Sequence, residues 1–371
     1  MNLSGSTTTD FPVRRKRCED EFMDTRIPEG PRRPPLKTWS AFGNLGRRPS
    51  EYEIVTHKMN HTLRDTPLEL GPDSHGNLWL VRHRDRIKLT VQDWNAFRDP
   101  DQLTYRKYVT CQDKSETYLD AIIQEFARIG RAESGPEFLQ TCLTPSRYLA
   151  HGLQMMSAYL QQLAPSSYVG NCAAFQTGDQ LRRVQRVAYR TKQLDRAYPE
   201  RLFGETERIA WEQLPEWQGL RKGIERLLVT FDWDDAFVGL NLVVKPLADE
   251  LTLRQFAIVA RHLNAELDAL VADNLFLDAE RSHRWSAALT RFAIADDCAN
   301  RKHLNALVAK WRPLADEIVA TGSRLLASFS SGLNSADQIA AAATAAWQSF
   351  LHGAGLQNES GERSNEYASV D

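Results

Sequence analysis

The sequence predicts an all-α protein. Three observations carry that reading. Apolar residues recur at helical spacing over most of residues 99–353, capping signals stand in front of the periodic runs, and strand signals are scarce. The first run opens at Asp99-Pro100-Asp101-Gln102, which offers an N-cap, Pro at the first helical position and a Gln able to close a capping box. Leu103, Tyr105, Tyr108, Tyr118, Leu119, Ile122, Ile123, Phe126 and Ile129 continue its apolar face up to Gly130.

A second helix is expected from Thr144-Pro145 to Pro165 through Leu149, Leu153, Met156 and Leu160, and a third from Phe175 to Ala197. Trp217 to Phe231 is periodic, and Asp235 to Val244 is almost wholly apolar and reads as buried. Thr252-Leu253-Arg254-Gln255 reads as a capping box opening a further helix. Asp278 to Ala295 and Leu304 to Phe329 are helical, and Ser335-Ala336-Asp337-Gln338 caps an Ala-rich helix ending near Gly353. Leu78 to Val81 with Ile87 to Val91 is the one place where a short β-hairpin is expected. Residues 1–37 read as an extended or disordered arm, 38–353 as the helical domain, and 354–371 as a disordered tail.

Composition narrows the class. The 371 residues are 42% hydrophobic and 25% charged, ordinary globular usage. A formal charge of −2 argues against a nucleic-acid binder, which usually carries a basic excess. The five cysteines are widely spaced and form no C-x-x-C pair, which fits a reducing, cytoplasmic setting. No membrane span is expected, because the charge-free stretches 148–178 and 338–358 are broken throughout by polar residues, and the polar, basic N-terminus has no apolar core of a secretory signal.

Long helices bearing Glu and His call for one specific search. A di-iron carboxylate site in a four-helix bundle takes one Glu from each of two helices and a Glu-x-x-His from each of the other two, because i, i+3 puts both side chains on one inward face. Two such motifs are required, and the sequence has one, Glu280-Arg281-Ser282-His283. Arg281, Arg284 and Arg291 surround it with positive charge, so it reads as a solvated or partner-facing helix surface carrying an ordinary acid–His contact. His57 and His61 are four apart, but Lys58 stands where a zinc hydrolase needs Glu. Gly43 to Gly46 is a turn without the pattern of a phosphate cradle, and Cys172, within Ala173-Ala174-Phe175, reads as a buried structural thiol. No catalytic, cofactor-binding or metal-ligating residue is assigned. Nine tryptophans and a Pro-rich arm suit a large obligate interface instead.

Several strings then resemble one family. They are Lys37-Thr38-Trp39-Ser40, Arg47-Arg48-Pro49-Ser50-Glu51-Tyr52-Glu53, Asp93 through Asp101 with Tyr105-Arg106, and Asn171 through Gln176. Arg186 through Thr191 and Asp232-Trp233 through Lys245-Pro246 complete the set. Together they resemble the hydroxylase β subunit of bacterial multicomponent, soluble di-iron monooxygenases, in the toluene, isoprene and alkene branch, over roughly residues 37 to 350. The resemblance implies a ferritin-like helical bundle. It also implies an (αβγ)2 assembly with hydroxylase α and γ subunits, served by a small effector protein, a Rieske-type ferredoxin and a reductase. The di-iron centre would lie in the α subunit, and NADH, FAD and a 2Fe-2S cluster in the electron-transfer partners. No cofactor is implied in this chain, and neither nucleic acid nor membrane is a partner. Under the resemblance, Gln185, Ala188 and Tyr189 stand where the first Glu-x-x-His would be expected, and Glu280 with His283 where the second would lie. The rival readings are a self-sufficient metal-binding ferritin-like oxidase or iron protein, and a helical interaction protein unrelated to oxygenases.

Overall fold

The computed structural model describes residues 42, 47–59, 73–129 and 135–356. The chain divides into two units, residues 1–49 and 50–371. The expected arm, residues 1–37, lies outside the described residues, as does 357–371. At the other boundary Ala354 and Leu356 are buried, so the packed domain runs three residues past the expected end at 353.

Helix α1 (Glu51–Thr56) opens with a reciprocal capping box. Ser50 Oγ accepts from the Glu53 N–H, and the Glu53 carboxylate accepts from the Ser50 N–H at 2.8 Å. The expected hairpin is a correction. Leu78 to Val81 fall inside helix α2 (His75–His83), which Ser74 caps and which buries Asn77, Leu80 and His83 along one face. No strand occurs among the described residues. Ile87 to Val91 stays extended, but its backbone partner is a side chain: Asn300 accepts from the Thr90 N–H at 2.9 Å and donates to Thr90 O at 2.8 Å. One buried amide thus satisfies what a neighbouring strand would have satisfied.

The Asp99-Pro100 signal is real but local. Asp99 carboxylate oxygens accept from the Asp101 and Leu103 N–H groups, closing a turn, and Thr104 Oγ1 then accepts from the Lys107 N–H. Helix α3 (Tyr105–Ile129) therefore starts later than expected. A short turn, α4 (Pro136–Phe138), continues through a π-helical stretch, Leu139–Leu143, into α5 (Ser146–Gln162). After a turn that ends on the capping Ser166, α6 (Ser167–Ala197) returns along α5. It begins eight residues before the expected Phe175, because Tyr168, Val169 and Cys172 pack in the core. Helices α7 (Glu207–Gln213) and α8 (Gln218–Leu228) follow.

The second helical hairpin is built from a rod running from Trp233 to His262. It comprises α9 (Trp233–Phe237), a π-helical stretch (Val238–Val244), α10 (Lys245–Asp249), a second π-helical stretch (Glu250–Gln255) and α11 (Phe256–His262). The wider turns show in the bonding: the Lys245 N–H donates to Leu240 O and the Phe256 N–H to Leu251 O, each five residues back. The expected helix start at Thr252 is a second correction. Thr252 lies inside the rod, and its hydroxyl donates to Ala248 O instead of capping a new helix. Asn264, left-handed at φ 58°, turns the chain into α12 (Glu266–Asp296), which packs back along α11.

Helices α5, α6, the rod and α12 form a four-helix core of two antiparallel hairpins. Helix α13 (Ala299–Ala327) lies against α8 and the rod, and α14 (Ala336–Gly353) covers α13 behind the expected Ser335–Gln338 capping box. The largest fully buried side chains, Trp217, Trp233, Trp311, Tyr168 and Phe237, fill the seams between these elements.

Candidate functional site

Three of the polar clusters in the interior bear on a candidate site. The first joins all four core helices. Gln176 of α6 donates to Ser157 Oγ on α5 and to Asn241 Oδ1 on the rod, each at 2.9 Å. Its own Oε1 accepts from Trp285 Nε1 of α12 at 3.1 Å, and Asn241 donates to Ser286 Oγ at 3.1 Å. Ser157 and Ser286 pass their protons to Leu153 O and Ser282 O. Each side-chain nitrogen and oxygen in this ring has a partner, and all its members are neutral.

The second cluster lies farther along α6, the rod and α12. Asp249, fully buried, accepts from Lys245 Nζ at 2.5 Å and from Arg183 Nη1 at 3.2 Å. Lys245 also donates to Ser282 Oγ at 2.6 Å, and Arg183 to Thr252 Oγ1 at 2.6 Å. His283 Nε2 stands 3.4 Å from Asp249 Oδ2 without the alignment of a hydrogen bond. Burial alone would push the Asp249 carboxyl up, but the Lys245 ammonium, His283 and Arg183 outweigh it and hold the carboxyl well below the usual range. Burial holds His283 below the ordinary histidine value.

The third cluster fastens α3 to the core. Asp179 Oδ1 accepts from Tyr108 OH and Gln112 Nε2 at 3.0 Å each and pairs with Arg281. Asp278 takes Arg182 at 2.7 Å, Gln112 at 3.0 Å and Arg281 at 3.1 Å. Glu116 of α3 pairs with Arg182 at 2.6 Å and also with Arg186. Burial, then the neighbouring Asp278 charge, pushes the Asp179 carboxyl up to about 7 against the pull of Arg281. Among the core-facing residues of α3 only Leu119 is a fully buried large apolar side chain, so ionic contacts carry much of its attachment.

The sequence-derived candidates separate in space. Gln185, Ala188 and Tyr189 are exposed on α6, so they do not mark the interior of the bundle, and that placement is corrected. Gln176 and Arg183, on the opposite face of α6, are the residues that look inward. His283, expected on a solvated or partner-facing helix surface, is largely covered, with its side chain 21% exposed. It packs between Phe276 and Phe350 and faces Asp249, while Glu280 is only half-buried. Cys172 is buried, with its thiol pushed up by desolvation. His57 rests near Tyr168, and His61 and Gly43 to Gly46 lie outside the described residues. Two of the inward polar residues had a readable signal: Asn241 and Lys245 each interrupt a stretch of apolar neighbours.

These residues do not fit a di-iron centre, which needs a carboxylate from each of four helices and two imidazoles. The Gln176 ring offers amides, hydroxyls and an indole, all already bonded to one another. The Asp249 cluster offers one carboxylate and one imidazole beside two cations. No group of three or more His, Cys, Asp or Glu among the described residues is placed to hold a metal ion.

Comparison with known proteins gives the same lineage that the strings suggested. The family model described as methane/phenol/alkene hydroxylase matches residues 79–297. The chain is 41% identical over 300 residues to the hydroxylase component subunit β of the toluene-4-monooxygenase system of Ectopseudomonas mendocina, covering 79% of this chain and 91% of that protein. It is 24% identical over 315 residues to an oxygenase component of phenol 2-monooxygenase from Pseudomonas sp. (strain CF600), covering 81% of this chain and 91% of that protein. A solved structure of toluene 4-monooxygenase with toluene in its resting active site superposes with a TM-score of 0.74 at 41% identity, over 80% of this chain and 99% of that one. Phenol hydroxylase from Pseudomonas sp. OX1, at 20% identity and a TM-score of 0.73, shares the fold over 91% of this chain and 99% of that one. On these matches the chain belongs to the methane, phenol and alkene hydroxylase family, as a β subunit of a multicomponent monooxygenase hydroxylase.

Proposed function

We propose that this chain is the non-catalytic β subunit of a di-iron hydroxylase that inserts one O2-derived oxygen atom into a small hydrocarbon of the alkene, isoprene or toluene kind. The observation that carries the reading is the pairing of 41% identity to a toluene-4-monooxygenase β subunit with a central polar ring, Gln176 with Ser157, Asn241, Trp285 and Ser286, bonded within itself. The chain's own residues then bind no substrate and move no proton in the reaction. They hold a rigid helical frame for a catalytic partner.

In this reading the di-iron centre belongs to an α subunit that assembles with this chain and a γ subunit as (αβγ)2. A small effector protein, a Rieske-type ferredoxin and an NADH-dependent FAD reductase act on that assembly in the cytoplasm. Residues 1–37 would serve as an arm laid on the α subunit, 38–353 as the ferritin-like domain, and 354–371 as a tail. No helix of the described residues is long and apolar enough to cross a membrane, which suits such an assembly.

The test is co-expression with the α chain, followed by metal analysis of this chain alone and of the complex. The expected result is iron in the complex and less than about 0.1 iron per isolated chain, since one carboxylate and one imidazole beside two cations supply too few ligands. Two irons per isolated chain would overturn the reading and favour a self-sufficient iron protein.

A further inference from the structure

We propose that the bundle contains a built cation site, formed by Asp249 and Ser282, which the chain fills with its own tethered cation, the Lys245 ammonium. This goes beyond the subunit assignment, because it gives a defined role to residues that no step of a partner's chemistry uses.

Lys245 is 1% exposed and Asp249 fully buried. An ammonium removed from water is tolerated only where fixed acceptors replace its hydration. Here they do: Nζ lies 2.5 Å from Asp249 Oδ2 and 2.6 Å from Ser282 Oγ. His283 Nε2 approaches the same carboxylate oxygen at 3.4 Å, and burial holds this imidazole below the ordinary histidine value. The carboxylate from the rod and the hydroxyl from α12 converge on Nζ as acceptors suited to a positive charge. Arg183 closes the far side by binding the other carboxylate oxygen and Thr252 Oγ1. The π-helical stretches on either side of α10 re-aim this one turn, so that Lys245 and Asp249, four residues apart, share a face toward α6 and α12.

An ordinary packing role for the lysine stem predicts different behaviour from a cation role, and three variants of the full chain in the co-purified hydroxylase separate them. Lys245→Met keeps the stem volume and removes the charge. It should lower the unfolding midpoint by roughly 5 °C or more, because a carboxylate is left buried with one fewer cation. Lys245→Met combined with Asp249→Asn should recover at least about half of that loss. Lys245→Ala removes the atoms of propylammonium, so about 100 mM propylammonium should raise its midpoint more than tetramethylammonium at the same ionic strength does. Where Lys245→Ala assembles only with propylammonium present, the site is supported equally. A Lys245→Met midpoint within about 1 °C of wild type would overturn the proposal. So would a double variant no more stable than Lys245→Met, or equal responses of Lys245→Ala to the two amines.

Discussion

Gln176→Leu tests whether the ring across the four core helices holds the bundle together. The substitution keeps the side-chain size and removes three hydrogen bonds: two donated, to Ser157 and Asn241, and one accepted from Trp285. Ser157 stays satisfied because its hydroxyl still donates to Leu153 O. Asn241 Oδ1 and Trp285 Nε1 do not, and at 2% and 3% exposure neither residue can turn to water. Each orphaned buried group costs about 1–3 kcal/mol, so the two together cost roughly 2–6 kcal/mol. Better burial of Leu returns about 1.5 kcal/mol, leaving a net loss of roughly 0.5–4.5 kcal/mol. The assay is thermal unfolding of the co-purified hydroxylase beside wild type. Adding Asn241→Leu removes one of the two orphans, and Ser286 keeps its bond to Ser282 O. The double variant should therefore be at least about 1 kcal/mol more stable than the sum of the single losses. A Gln176→Leu loss below about 0.5 kcal/mol, or strict additivity, would refute the reasoning.

Two further expectations come from the packing and from the ionic attachment of α3. A methyl at Gly239 would run into the ring of Trp311, which is 1% exposed and pinned by its Nε1 donating to Asp235 at 2.8 Å, so Gly239→Ala should cost roughly 1–3 kcal/mol. Gly353→Ala, which meets nothing within 4 Å, is the control and should stay within about 0.5 kcal/mol of wild type in the same melts. Asp179 is pushed up to about 7 by burial and by Asp278, so its folded form holds a proton that the unfolded chain releases near its ordinary value of 3.8. Its contribution is thus fully present below that ordinary value and is lost as pH rises through about 7. Asp179→Asn should accordingly gain on wild type between pH 5 and 8, read as the difference in unfolding midpoint. A difference that stays flat across that window would contradict the sign.

The sequence by itself determined the class and most of the elements, because capping and apolar periodicity are local. Ser335 with Gln338 forms the expected capping box, and Asp235 to Val244 is buried as its composition demands. The missing second Glu-x-x-His was also legible, since a motif count needs no coordinates. What failed were signals whose meaning depends on a distant partner. Thr252 carries cap chemistry, but burial of Leu251, Leu253 and Phe256 kept the rod helical through it, and its hydroxyl turned back to Ala248. Leu78 to Val81 has strand-forming residues, yet a helix aligned Asn77, Leu80 and His83 on one buried face. Tertiary structure alone decided which face of α6 looks inward. Gln185 and Tyr189 differ from Gln176 and Arg183 only by rotation about the helix axis, and that rotation is set by packing against α5 and α12. It also brought Arg183, Lys245, Asp249 and His283 together from three helices, because a buried charge has to find its counterion wherever the fold can supply one.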